Sequence, residues 1–311
     1  MSSSLAIRHG VVWICRSAGG ARLVPYDLGG RRIGAGFEIR GAAGPRGGAA
    51  DVRGIAVDED RRIWVAEGGA GGVRSFTAFG AGSTGIPDPD GQLDDAAGIA
   101  ADGVETELRL LLSRRGERRH GLRLLDPRTG SVRSFRPEGD PSGAFGNLAG
   151  VALAGRLAFA CEAGRGLVQV FRDGDYHYRI AFESDGGPRV RGEPRVVAAA
   201  RDGRSIVAGR IGETGAVLLF DAGGRLVRRL DGELDSTEAV GDDVSGVVLH
   251  EGASERDSVV LVLERAGSRV LAFTLEGGCL GSFHDLEVHT FRSDEAPDAG
   301  LGIRPRSQRL T

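Results

Sequence analysis

Along this chain, short apolar runs alternate with tight polar turns, and the alternation itself repeats. Residues 54–76, GIAVDEDRRIWVAEGGAGGVRSF, hold three apolar runs separated by an acidic turn and a glycine-rich loop. The same order returns in residues 150–174, 196–224 and 246–278, in a stretched form across residues 98–135, and near the start across residues 4–30. These are six copies with a period of about fifty residues, which points to an array of equivalent supersecondary units.

Each copy predicts four strands. The first run starts at a small residue such as Gly54 or Gly150 and ends in a polar turn such as Asp58-Glu-Asp60. The second run is almost continuously apolar (residues 11–15, 63–66, 157–161 and 259–263), the mark of a strand buried on both faces. The third ends in an aromatic residue and a hairpin signal: YDLGG at 26–30, FRDG at 171–174, FDAGG at 220–224. A more polar fourth run follows, as in RLVRRL at 225–230. Four antiparallel strands in each of six units give an all-β fold, a six-bladed β-propeller of four-stranded antiparallel blades. No helical period of ten or more residues separates the strands, which argues against a doubly wound α/β fold. The propeller is expected to span residues 1–292, and residues 293–311, rich in Pro, Gly and charge, to form a flexible C-terminal tail. Because the first copy opens on its innermost strand, the ring is expected to close without strand exchange, with residues 286–291 as the one segment able to reach back.

Composition narrows the chemistry. The 311 residues include 52 glycines and carry a net charge of −3, with no long apolar segment, so neither a membrane span nor a global pull toward nucleic acid is expected. All 40 basic residues are arginine, which removes Schiff-base lysines, the P-loop lysine and serine–lysine dyads. The opening MSSSLAIRHG lacks a secretory pattern, and three cysteines fit a reducing compartment; the expected location is cytoplasmic.

The segments VRGIAVDEDRRIWVAE and LERAGSRVLAF resemble the NHL repeat, and the resemblance extends over residues 4–283. It implies a six-bladed propeller that acts mostly as a binding platform, with some enzyme relatives on the same blade plan.

On this plan the start of strand one and the end of strand two share one channel mouth. Just after strand two stand Glu67, Glu162 and Glu264 in copies two, four and six, and Arg16, Arg114 and Arg210 in copies one, three and five, with Arg210 one residue out of line. This alternating ring reads either as blade-to-blade ion pairing or as a grip on a charged partner. Three residues before the strand-one anchor come Asp51, Asp95, Asn147, Glu193 and Asp243. They read either as turn chemistry or as an acidic rim for a basic partner segment or a cation.

The expected function is a non-enzymatic scaffold that recognises a protein partner through this charged mouth, with no cofactor. Two alternatives stand beside it. One is a Ca²⁺-dependent lactonase of the gluconolactonase-like six-bladed class, whose metal site resembles a Glu, Asn and Asp set; here Asn147 is the one asparagine. The other is an RNA-binding NHL propeller using the basic loop SRRGERRHGLR at 113–123, which has no interleaved aromatic to stack a base. PDPDGQLDD at 87–95 starts like a calcium loop but lacks the closing glutamate. His284, Asp285, Glu287 and His289 fit no standard zinc spacing. Cys15 and Cys161 hold equivalent strand-two positions, as small buried residues would.

Overall fold

The computed structural model describes residues 3–16, 21–41, 50–68, 71–80, 82, 84–86, 91–104, 106–115, 120–138, 145–184, 189–231, 239–264 and 269–284. Blade 1 comprises β1 (Ser3–Arg8), β2 (Val11–Arg16), β3 (Ala21–Tyr26) and β4 (Phe37–Ile39). Blade 2 comprises β5 (Val52–Val57), β6 (Ile63–Glu67), β7 (Gly72–Phe76) and β8 (Thr84–Gly85). Blade 3 holds β9 (Ala96–Asp102), β10 (Arg109–Arg115), β11 (His120–Leu125) and β12 (Val132–Ser134). Blade 4 holds β13 (Leu148–Ala154), β14 (Leu157–Glu162), β15 (Leu167–Arg172) and β16 (Asp175–Ala181). Blade 5 runs through β17 (Glu193–Ala199), β18 (Ser205–Ile211), β19 (Thr214–Phe220) and β20 (Leu226–Arg229). Blade 6 runs through β21 (Val244–His250), β22 (Val259–Glu264), β23 (Arg269–Thr274) and β24 (Cys279–His284). Every sheet is an antiparallel meander of four consecutive strands. The protein is a six-bladed β-propeller.

The core lies between the blades, in six layers. Strand alternation explains why the middle of each second strand is apolar on both faces. In β6, Ile63 and Val65 pack toward blade 1, while Trp64 and Ala66 pack toward blade 3. In β22, Leu261 and Leu263 face blade 1, and Val260 and Val262 face blade 5. Each fully buried Leu or Val of this kind contributes about 1.5–3 kcal/mol. The aromatic ending the third strand (Tyr26, Phe76, Phe171, Phe220, Phe273) is buried in the same layers.

Turns are fixed by local carboxylates. Asp221 Oδ1 accepts the amides of Gly223 at 2.9 Å and Arg225 at 2.8 Å, and Gly224 supplies the φ of +77° that the turn requires. Asp58 is fully buried; its Oδ1 accepts the Arg62 amide at 2.8 Å and its Oδ2 the Trp64 indole N–H at 2.9 Å.

At the axis the first strands converge, and some of them leave no room for a side chain. A Cβ on Gly150 would stand 2.6 Å from the carbonyl oxygen of Arg195 on the next blade. The ring closes between β21 and β1 by side-chain packing of Val248, Leu261 and Phe283 on Leu5, Ile14 and Tyr26, with no strand exchanged among the described residues. Residues 285–311, and with them the expected domain boundary and tail, lie outside the described residues.

Candidate functional site at the channel mouth

The register places the expected ring at one level. Arg16, Glu67, Arg114, Glu162 and Glu264 stand opposite Ser3, Val52, Ala96, Leu148 and Val244, the residues that open each first strand. Arg210 lies one residue further along its strand, opposite Glu193. In blades 2 to 6 the register slips just inside this level. The resulting bulges bend strand one and re-aim Arg53 and Ser245 to the channel wall.

The three glutamates are buried, with relative exposures of 2%, 0% and 6% for Glu67, Glu162 and Glu264. Glu67 is paired with Arg74 of β7, whose Nη2 also donates to the Arg40 carbonyl of blade 1 at 2.6 Å. Glu162 accepts from the Gln169 amide at 2.6 Å and the Gly146 N–H at 2.7 Å, with Arg165 at 3.5 Å. Glu264 takes a two-pronged bond from Arg269, Nε at 2.7 Å and Nη2 at 2.9 Å, and also accepts the Gly241 N–H. Each glutamate therefore ties strand two to strand three and, in blades 4 and 6, to the linker leading into its own strand one. The partner sits within the blade, where ring alternation had pointed to the neighbouring one. The reason is distance: adjacent strands are about 4.8 Å apart and sheets about 10 Å.

The rim acids stay at the surface. Asp51 binds Arg53 Nη2 at 2.6 Å, Glu193 binds Arg210 Nη2 at 3.0 Å, and Asp243 binds Arg195 Nη1 at 3.0 Å across blades 5 and 6. Asp95 is exposed, has a φ of +55°, and makes no hydrogen bond or ion pair among the described residues. Asn147 is exposed and its carbonyl accepts the Ala163 N–H at 2.9 Å. Arg16 is half-buried, and Arg114 has a buried Nε with no partner among the described residues.

Below the mouth the channel is lined by Ser4, Arg53, Gly98, Gly150, Val196 and Gly246 among other small or apolar residues, and encloses only about 110 Å³. Its far end is crossed by a feature that sequence reading missed. Glu59, on the turn after β5, binds Arg201 Nη2, on the turn after β17, at 2.5 Å. Blades 2 and 5 are diametrically opposite, so this pair spans the axis. Arg8 at 3.3 Å and His9 at 3.7 Å complete the cluster on Glu59. Pairing over 142 residues leaves no trace in local sequence. The glutamates' partners did leave one: a lone Arg or Gln inside an apolar third strand, as in GVRSF and LVQVF.

Among the described residues, no three His, Cys, Asp or Glu side chains come together as a metal site would require. Cys15 and Cys161 are buried, and burial pushes the Cys161 thiol well above its usual range, away from nucleophilic chemistry. Much of the basic loop (116–119), the start of the calcium-like loop (87–90) and the residues from Asp285 to His289 lie outside the described residues. Among those described, no helix is long and apolar enough to cross a membrane.

No protein-family profile matches the chain, and no curated protein matches it in sequence. Solved structures of similar fold include a chain of a nidogen/laminin complex, at 13% identity and a TM-score of 0.60, covering 87% of this chain and 92% of that one. U3-55K is similar at 14% identity and a TM-score of 0.58, covering 88% and 77%. A gluconolactonase from Xanthomonas campestris is similar at 16% identity and a TM-score of 0.52, covering 82% of each chain. At these identities the likeness is one of fold: what this chain shares with all three is the propeller.

Proposed function

We propose that this propeller is a non-catalytic, NHL-like binding platform that takes a protein partner on its channel-mouth face. One observation carries the reading. The mouth presents exposed charge, with Asp51–Arg53, Glu193–Arg210, Asp243–Arg195 and Asp95, which has no ion pair among the described residues, arranged around a channel of about 110 Å³. That volume is below the range of about 300–1,000 Å³ typical of small-molecule sites, while a rigid charged rim suits a complementary macromolecular surface. Among the described residues, no carboxylate or imidazole lines the small cavity just below the mouth. The presence of this fold in a nidogen/laminin complex supports protein as the class of partner.

Within this reading the buried Glu67, Glu162 and Glu264 hold the rim in place, and Asp51, Asp95, Glu193, Asp243, Arg16, Arg114 and Arg210 supply contact or local field. Three thiols without disulfides accord with a reducing, cytoplasmic setting. The test is native mass spectrometry on protein isolated gently from its own host, beside the triple variant Asp51→Asn, Asp95→Asn and Glu193→Gln. A stoichiometric protein partner that the variant loses, with unchanged thermal stability, is the expected result. A monomer that hydrolyses glucono-δ-lactone, with activity abolished by chelation of calcium, would overturn the proposal.

A further inference from the structure

Away from the mouth, on the face of the strand 1–2 and strand 3–4 turns, a cleft of about 370 Å³ opens between blades 1 and 2. Its walls are apolar: Trp13, Pro25, Ile33, Phe37, Ala78 and Phe79. Phe79 is 92% exposed and Ile33 48% exposed, so two of the large exposed apolar side chains among the described residues stand at this one opening. Trp13 and Phe37 meet edge to face at 6.2 Å and form a fixed aromatic floor. An isolated exposed apolar residue needs no explanation, but a cleft of this volume lined by several does.

Two guanidinium groups line the same cleft, those of Arg8 and Arg61. Arg8 Nε is buried and has no hydrogen-bond partner among the described residues. Its Nη1 approaches Glu59 at 3.3 Å, a carboxylate that it shares with Arg201, which Asp102 also approaches at 4.0 Å. Arg61 is exposed on the turn after β5, with a φ of +62°, and its side chain has no ion pair among the described residues. The nearby Asp58 does not answer it, because both its oxygens are taken by the Arg62 amide and the Trp64 indole. A carboxylate is the acceptor that matches the edge of an exposed guanidinium such as that of Arg61.

We propose that this cleft is a binding site for a small carboxylic acid with an aromatic or branched aliphatic body. The apolar part lies between the Trp13–Phe37 floor and Phe79, and the carboxylate accepts from the exposed guanidinium of Arg61, with Arg8 beside it. The site is independent of the channel mouth and of any partner held there.

The two tryptophans make the test internally controlled. Trp13 lines the cleft, whereas Trp64 donates its indole N–H to buried Asp58 and serves as the reference. The ¹⁵N-labelled protein is titrated with 3-phenylpropionate, 4-methylpentanoate and 3-phenylpropanamide while both indole N–H resonances are followed. The expected result is a saturable shift at Trp13 with the acids, a stationary Trp64, and affinity for the amide weaker by about tenfold, the scale of one lost charge-assisted bond. Arg61→Asn, a residue tolerant of positive φ, and Phe79→Ser should each weaken the acids by a similar factor. The proposal is overturned if Trp13 does not move with either acid, if both indoles shift together, or if acid and amide bind alike.

Discussion

Glu67 and Arg74 form a salt bridge whose side chains are only 3% and 10% exposed, and its worth follows from what each group would face alone. Arg74 also donates to the Arg40 carbonyl and lies 5.2 Å from the Phe76 ring centroid, so it is fixed from three sides. Replacing Glu67 with Met leaves the guanidinium buried with a single carbonyl as hydrogen-bond partner. Replacing Arg74 with Met strands a carboxylate instead. Breaking one side of a buried pair costs about 3–5 kcal/mol, whereas replacing both sides with apolar groups of similar volume is often close to neutral. Each single variant should therefore lose about 3–5 kcal/mol, and the double variant Glu67→Met, Arg74→Met less than about 1 kcal/mol. Urea unfolding, read in parallel by fluorescence of Trp64 on the same strand and by far-UV circular dichroism, gives the three free energies. Single losses below about 1 kcal/mol, the size seen for exposed pairs, would refute the argument. So would a double variant whose loss equals the sum of the singles.

Three further outcomes are expected. Gly246→Val should destabilise the protein by about 1–3 kcal/mol in thermal unfolding, because a Cβ there stands 2.8 Å from the Leu5 Cβ across the closing seam; an unchanged midpoint would show that the seam can spread. Iodoacetamide at about pH 8 should label half-buried Cys279 in the folded protein and spare buried Cys15 and Cys161, as peptide mass mapping would read. Burial holds the His250 imidazole below its usual 6.5, against the opposing pull of Glu251. The unfolded chain then binds the proton first, so this contribution to stability is intact above about pH 6.5 and is lost as pH falls toward the folded value. His250→Asn should flatten that part of the urea-midpoint profile between about pH 7 and pH 5, and an unaltered slope would assign the loss to other groups.

The blade plan was legible because each strand's burial is written in its own period. The unbroken apolar run at 259–263 could only be a strand flanked on both sides, and β22 is one. Gly150 and Gly246 marked the axis because a Cβ there would press within 2.6 and 2.8 Å of the neighbouring blade. The glutamate ring was legible in position but not in partnership. Sequence spacing put Glu67, Glu162 and Glu264 at one level, yet whether they faced a ligand or their own blade depended on Arg74, Gln169 and Arg269 one hairpin away. The cleft between blades 1 and 2 was invisible for a related reason. Its walls come from turns about fifty residues apart, and nothing in the local pattern says that Phe79 and Trp13 line one opening.

The junction between blades 6 and 1 has a mechanical consequence. Successive blades elsewhere are joined by a peptide linker, but among the described residues no backbone crosses this junction, and its cohesion is the interlock of Leu5, Ile14, Tyr26, Leu261 and Phe283. Among the described residues, then, the strength of this seam scales with the apolar area that these five side chains bury against one another. The Arg201–Glu59 pair adds a tie of another kind, an ion pair reaching across the axis between blades 5 and 2.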